Sequence, residues 1–154
     1  MQWADLTPTP MHVNGIRLSV RDSGETDGAA AGKPALLLLH GWPQTSYAFR
    51  KLVDRLSAEY RLVIPDLRGL GGSGLAPAGA AGAYDVRTLA QDIRALVAAL
   101  GLERPYLVGH DWGGLIGRRD ALAWPGELSR LAILDVAPHE QVLSHLTAEV
   151  AQAT

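Results

Sequence analysis

Four short runs of uninterrupted apolar residues recur along the chain: Ala35–Leu39, Leu62–Ile64, Tyr106–Val108 and Leu131–Leu134. None is long enough to make a helix by itself, and none alternates with polar residues as a half-solvated strand would. Each is expected to be a buried strand with apolar cover on both faces, the environment inside a parallel sheet flanked by helices. The intervening segments carry the helical period. Phe49, Leu52, Val53 and Leu56 stand at i, i+3, i+4 and i+7, which predicts one helix with Thr45 or Ser46 as its N-cap. Val86, Leu89, Ile93, Leu96, Val97 and Leu100 form a second stripe, between Asp85 as a cap and Gly101 as the glycine after the helix. A third helix is expected from Trp112 to Ala123, stopped by Pro125. Ahead of these elements, Asn14-Gly15 between His12-Val13 and the alternating run Ile16–Val20 is a hairpin signal. A hairpin followed by strand–helix alternation specifies an α/β fold with a mostly parallel sheet and helices on both faces.

Composition narrows the function classes. The 154 residues suit one domain. The 14 Lys+Arg against 16 Asp+Glu leave a net charge of −2, which argues against a nucleic-acid partner. Wholly apolar runs such as Ala35–Leu39 fall well short of the roughly 20 residues a bilayer span requires, so no membrane partner is expected. With no cysteine there is no disulfide framework, no thiol nucleophile and no Cys-based zinc site. The opening MQWADLTPTP lacks a basic segment followed by an apolar one, so a cytoplasmic protein is expected. Ser23–Pro34 and the glycine-rich stretch Asp66–Ala83 read as loops, and the tail from His139 to Thr154 as weakly helical.

Ligands of such sheets sit beyond the carboxyl ends of the strands. Each predicted strand ends on an unusual group: His40-Gly41-Trp42-Pro43, Asp66-Leu67-Arg68-Gly69, Gly109-His110-Asp111-Trp112-Gly113-Gly114, and Asp135. The third has the form small-x-Asp-x-small between a strand and a helix, the shape of a nucleophile elbow. Cβ atoms at Gly109 or Gly113 would collide as strand and helix close around the turn. Asp111 would then project at a helix N-terminus, where free N–H groups favour an anion. A carboxylate attacking a saturated carbon makes an ester, which water can cleave at the carboxyl carbon. A serine would make an ether that water does not readily cleave, so aspartate itself indicates the reaction class.

These motifs, in this order, resemble the α/β-hydrolase fold superfamily. The likeness is strongest to its aspartate-nucleophile branch of epoxide hydrolases and haloalkane and haloacetate dehalogenases. The resemblance implies Asp111 as nucleophile and the backbone amides of Trp42 and Trp112 as oxyanion donors. It implies leaving-group or substrate contacts from Trp112, Trp42, Pro43 and His40, and makes a cis Trp42-Pro43 bond an expectation. Asp135, 24 residues beyond Asp111, matches the acid that orients the catalytic histidine in the dehalogenases. Trp112 and Leu115 stand where haloacetate dehalogenases carry carboxylate-binding arginines, so a small neutral substrate is expected, with no cofactor and no metal. Trp42 departs from the halide-binding Asn of many haloalkane dehalogenases.

A returning base is also expected. Of the five histidines, His40 and His110 belong to the motifs and are read as structural, His12 lies in the hairpin, and His139 and His145 follow the last strand. The 43 residues after Asp111 are too few for the remaining strands and base of the resembling enzymes. The chain therefore reads as their N-terminal portion: residues 1–138 the first part of the core, 139–154 the start of a helical cap. The sheet would be incomplete at its C-terminal side, with an open edge inviting self-association. Three other readings stand beside this one: a non-catalytic binding protein of the same fold, a serine esterase using Ser73 or Ser46, and a nucleotide-binding domain. The last lacks any phosphate-binding glycine motif.

Overall fold

The computed structural model describes residues 1–24 and 32–136. Most of the predicted Ser23–Pro34 loop, the tail and the boundary between core and cap lie outside the described residues. The hairpin forms where expected: β1 (Thr9–Val13) pairs antiparallel with β2 (Ile16–Asp22). Its turn residues Asn14 and Gly15 have φ of 47° and 72°, the left-handed pair whose twist matches the flanking strands.

The remaining strands are β3 (Ala35–Leu39), β4 (Arg61–Pro65), β5 (Tyr106–His110) and β6 (Arg130–Leu134). The sheet order is β1-β2-β4-β3-β5-β6, with the β3–β4, β3–β5 and β5–β6 pairs parallel and β2 antiparallel to β4. The chain leaves β3 toward β4 on one side, then crosses to β5 on the other. The ends of β3 and β5 thus flank a switch point, where a crevice opens in such sheets.

Alternation along β3 shows why its apolar run is continuous. Leu37 and Leu39 join one core with Ile93, Leu96 and Ile116, whereas Leu36 and Leu38 join another with Phe49 and Val53. The first core lies under α2 (Val86–Ala99) and α3 (Trp112–Ala123), the second under α1 (Val53–Leu56) and the turn before it. Helices therefore cover both faces. Each fully buried Leu or Ile here is worth about 1.5–3 kcal/mol of burial. The α2 stripe ends as its glycine predicts. Gly101 has φ 61°, its N–H donates to Ala98 O, and the N–H of Leu102 reaches Val97 O, the paired bonds that close a helix C-terminus.

Three expectations need correction. The helix predicted from Thr45 or Ser46 onward is broken into a 3-10 turn over Ser46–Phe49 and the short α1. Ser46 and Phe49, three residues apart, are both buried, and winding at three per turn carries both inward. Asp85 precedes α2, but its carboxylate accepts from the Thr88 hydroxyl (3.3 Å) and caps no helix N–H. Finally, β6 is mostly exposed rather than buried: among the described residues it stands at the sheet edge, with helix cover from α3 on one face only. No helix among the described residues is long and apolar enough to cross a membrane.

Candidate active site

Between the last residue of β5 and the first of α3 there is one residue, Asp111, with φ 53° and ψ −119°. A side chain in that region costs on the order of 1–3 kcal/mol and persists only where its surroundings hold it. Here they do. The Asp111 N–H donates to Leu134 O at the end of β6 (3.0 Å), and its carbonyl accepts from Gly114 and Leu115 (2.9 and 3.2 Å). The tightness of the bend accounts for the glycines. A Cβ on Gly109 would lie 2.2 Å from the Gly113 carbonyl oxygen, and one on Gly113 would lie 2.1 Å from the Leu39 carbonyl oxygen. These are backbone atoms that cannot swing aside.

The second part of the site is the turn after β3. The Trp42 N–H donates to Asp111 Oδ1 at 2.9 Å, and the following Trp42-Pro43 bond is cis. The motif's glycine has a separate steric reason: a Cβ on Gly41 would stand 2.5 Å from the Asp111 side chain. Trp112, as the first residue of α3, presents its amide at the helix N-terminus, ahead of the intrahelical ladder. The predicted residues Asp111, Trp42 and Trp112 are thus gathered at the switch point.

His40 is not a substrate contact. Its ring is fully buried, Nε2 accepts from the Leu67 N–H (2.9 Å), and Nδ1 donates to Gly41 O (2.9 Å). Accepting at Nε2 makes Nδ1–H the tautomer, and burial pushes the pKa down, opposed by the Gly41 carbonyl and the charge of Asp66. Pro43 is exposed on the turn and does not line the cavity described below.

Asp135 follows β6 with φ 55°, its side chain largely in solvent and Oδ2 3.5 Å from His110 Nε2. His110 in turn donates from Nδ1 to Gln44 Oε1 (3.1 Å). Of the other described histidines, His12 is exposed in β1 at the opposite edge of the sheet.

Both candidate serines are structural. Ser73 Oγ donates to the Asp66 carbonyl (2.6 Å) and accepts from the Ser19 N–H (2.9 Å). Ser46 is buried, with its N–H on Asp66 Oδ1 (2.7 Å). Asp66 also accepts from the Gly72 N–H (2.8 Å), so this carboxylate ties the start of the 3-10 turn to the glycine-rich loop.

A cavity of about 330 Å³ opens against the indoles of Trp42 and Trp112, walled further by Leu67, Leu70, Leu75 and Tyr84. Asp111 is not part of its wall. Arg68 is the one charged lining residue, and its guanidinium is spent on Asp92, Nε to Oδ2 at 2.7 Å and Nη2 to Oδ1 at 2.6 Å. Beyond Trp42 and Trp112, sequence reasoning missed this wall, because residues of an irregular loop carry no period to show which way they face.

An elbow that turns strand into helix around one strained residue, at the switch point of a largely parallel sheet, defines the class. The family model described as alpha/beta hydrolase fold matches residues 34–152, and the chain belongs to that family. Among curated relatives, a fluoroacetate dehalogenase from Burkholderia sp. is 44% identical over 122 residues, covering 78% of this chain and 40% of the relative. A soluble epoxide hydrolase from Corynebacterium sp. (strain C12) is 37% identical over 134 residues, covering 87% and 43% respectively. The crystal structure of an epoxide hydrolase from Vigna radiata superposes with a TM-score of 0.79 at 32% identity, covering 90% of this chain and 41% of that one. The chain thus spans less than half the length of the proteins it matches.

Proposed function

We propose that this chain carries the nucleophile half of a hydrolase acting on a neutral epoxide or alkyl halide through an aspartyl ester. One observation supports this above all: the Asp111 carboxylate sits on the strained elbow, held by the Trp42 N–H at 2.9 Å and by no ion pair among the described residues. With Oδ1 held, the other carboxylate oxygen forms the bond to carbon. The carbon–halogen or carbon–oxygen bond breaks, and its electron pair leaves with the halide or the epoxide oxygen. In the second half, water adds to the carboxyl carbon of the ester, and the oxyanion that develops there would be met by the Trp42 and Trp112 amides. Collapse releases the alcohol and restores Asp111.

That second half needs a base, and none of the described histidines is suited to it. His40 is occupied at both nitrogens, His12 is at the far edge, and His110 is held between Gln44 and Asp135. Asp135, beside the elbow at the end of β6, is proposed as the acid that would orient such a base. The neutral substrate is favoured by the apolar cavity and by the pairing of Arg68 with Asp92.

The test is to incubate the protein with a terminal aliphatic epoxide, an alkyl bromide and bromoacetate, then to map adducts by peptide mass spectrometry. The neutral reagents should alkylate Asp111 and be silent on Asp111→Asn, with bromoacetate at least about tenfold slower because Arg68, the charged residue of the cavity wall, is already paired with Asp92. An unmodified Asp111 peptide after all three would end this reading.

A further inference from the structure

The peptide that joins Gly41 to Trp42 is held from its oxygen side. Its carbonyl accepts from the Gln44 N–H (2.9 Å) and from His40 Nδ1–H (2.9 Å), while its N–H points to Asp111 Oδ1 (2.9 Å). Because a peptide is planar and trans, fixing the oxygen aims the hydrogen the opposite way. Yet residue 41 must be glycine, since a Cβ there would stand 2.5 Å from Asp111. Glycine leaves the backbone freer than any other residue. The site therefore requires an aimed N–H beside the one residue least able to aim it.

Gln44 supplies the missing restraint. Its Oε1 accepts from the Gly41 N–H at 3.1 Å and also meets His110 Nδ1 at 3.1 Å. A backbone N–H can only donate, so the atom facing it is the amide oxygen, and His110 must present Nδ1–H to that oxygen. One carbonyl thus holds the peptide before Gly41, the backbone of Gln44 holds the peptide after it, and His110 anchors both to the end of β5. We infer that Gln44 is a positioning residue that aims the Trp42 N–H at the nucleophile, braced by the Nδ1–H tautomer of His110. The role rests on Asp111 being the nucleophile, but the restraint itself can be read without any reaction.

The experiment compares the wild-type chain with Gln44→Met, which removes the acceptor at similar length, and Gln44→Glu, which keeps it. Nitrogen-15 spectra report the His110 tautomer, amide hydrogen exchange reports Trp42, and mass spectrometry reports the rate of Asp111 alkylation by a terminal aliphatic epoxide. In Gln44→Met the Trp42 amide should exchange about tenfold faster or more, the His110 Nδ1–H signature should be lost, and alkylation should slow on the order of tenfold, as expected for a displaced catalytic dipole. Gln44→Glu should retain the wild-type amide protection and tautomer. Unchanged Trp42 exchange and His110 tautomer in Gln44→Met, or a Glu variant indistinguishable from Met, would overturn the inference. A wild-type chain that is never alkylated would overturn the nucleophile reading instead, and the two spectroscopic readouts would still decide the restraint.

Discussion

His40 does its work through a proton it must not gain. Its Nε2 has to stay an acceptor for the Leu67 N–H while Nδ1–H holds the Gly41 carbonyl, so an imidazolium would break the first of these bonds. Burial accordingly lowers its pKa from the ordinary 6.5, with the Gly41 carbonyl and Asp66 opposing. Below about pH 6.5 the unfolded chain binds a proton that the native state refuses, so stability falls with pH until the native pKa is reached. The slope from this one group is at most about 1.4 kcal/mol per pH unit. Urea denaturation between about pH 7.5 and pH 5 should therefore show a shallower loss for His40→Gln than for wild type; equal slopes would mean another group is responsible. This residue also marks a limit of the sequence. The His-Gly-Trp-Pro motif left position 40 both a structural role and a substrate contact, and the partner that favours structure is a backbone N–H 27 residues away. The collisions at Gly109 and Gly113 were legible because they follow from the local strand-to-helix geometry alone.

The two helices over the larger core are joined by a buried ion pair. Arg94 of α2 donates from Nε to Asp120 Oδ1 of α3 (3.1 Å) and from Nη2 to the other carboxylate oxygen, and Asp120 is fully buried. Burial raises the pKa of Asp120 against the pull of Arg94, as expected for a carboxylate whose solvent has been replaced by one partner. Arg94→Met should cost about 3 kcal/mol by stranding that carboxylate, whereas Arg94→Met with Asp120→Leu should recover most of the loss. A double-mutant cycle by urea denaturation measures this; additive effects would mean the pair is not coupled. Neither residue stood out in the sequence, where both fall within helical stretches and look like surface charges. The same blindness affected the segment from Ser46 to Leu56. Its apolar spacing was visible, but not that Asp66 would take the Ser46 N–H and hold the first turn tight.

At the largest scale, the sheet of the described residues ends on an exposed strand. Among the described residues β6 pairs only with β5; Leu134 is exposed, and Ala132, also exposed, lines an open apolar groove with Leu36, Tyr106 and Leu131. Unpaired edges of this kind recruit other strands. The 154-residue chain should self-associate in light scattering, and Ala132→Lys should shift it toward monomer; a monodisperse wild-type monomer would contradict the expectation. The apolar runs, their spacing and the glycines around Asp111 sufficed to specify an α/β fold with a strand–Asp–helix bend, because each depends on neighbours in sequence and on simple sterics. They could not show which backbone N–H His40 would meet, that Asp120 would be buried against Arg94, or that Gln44 and His110 meet. Those outcomes depend on strand order and on side chains tens of residues apart becoming neighbours, and only the folded sheet brings them together.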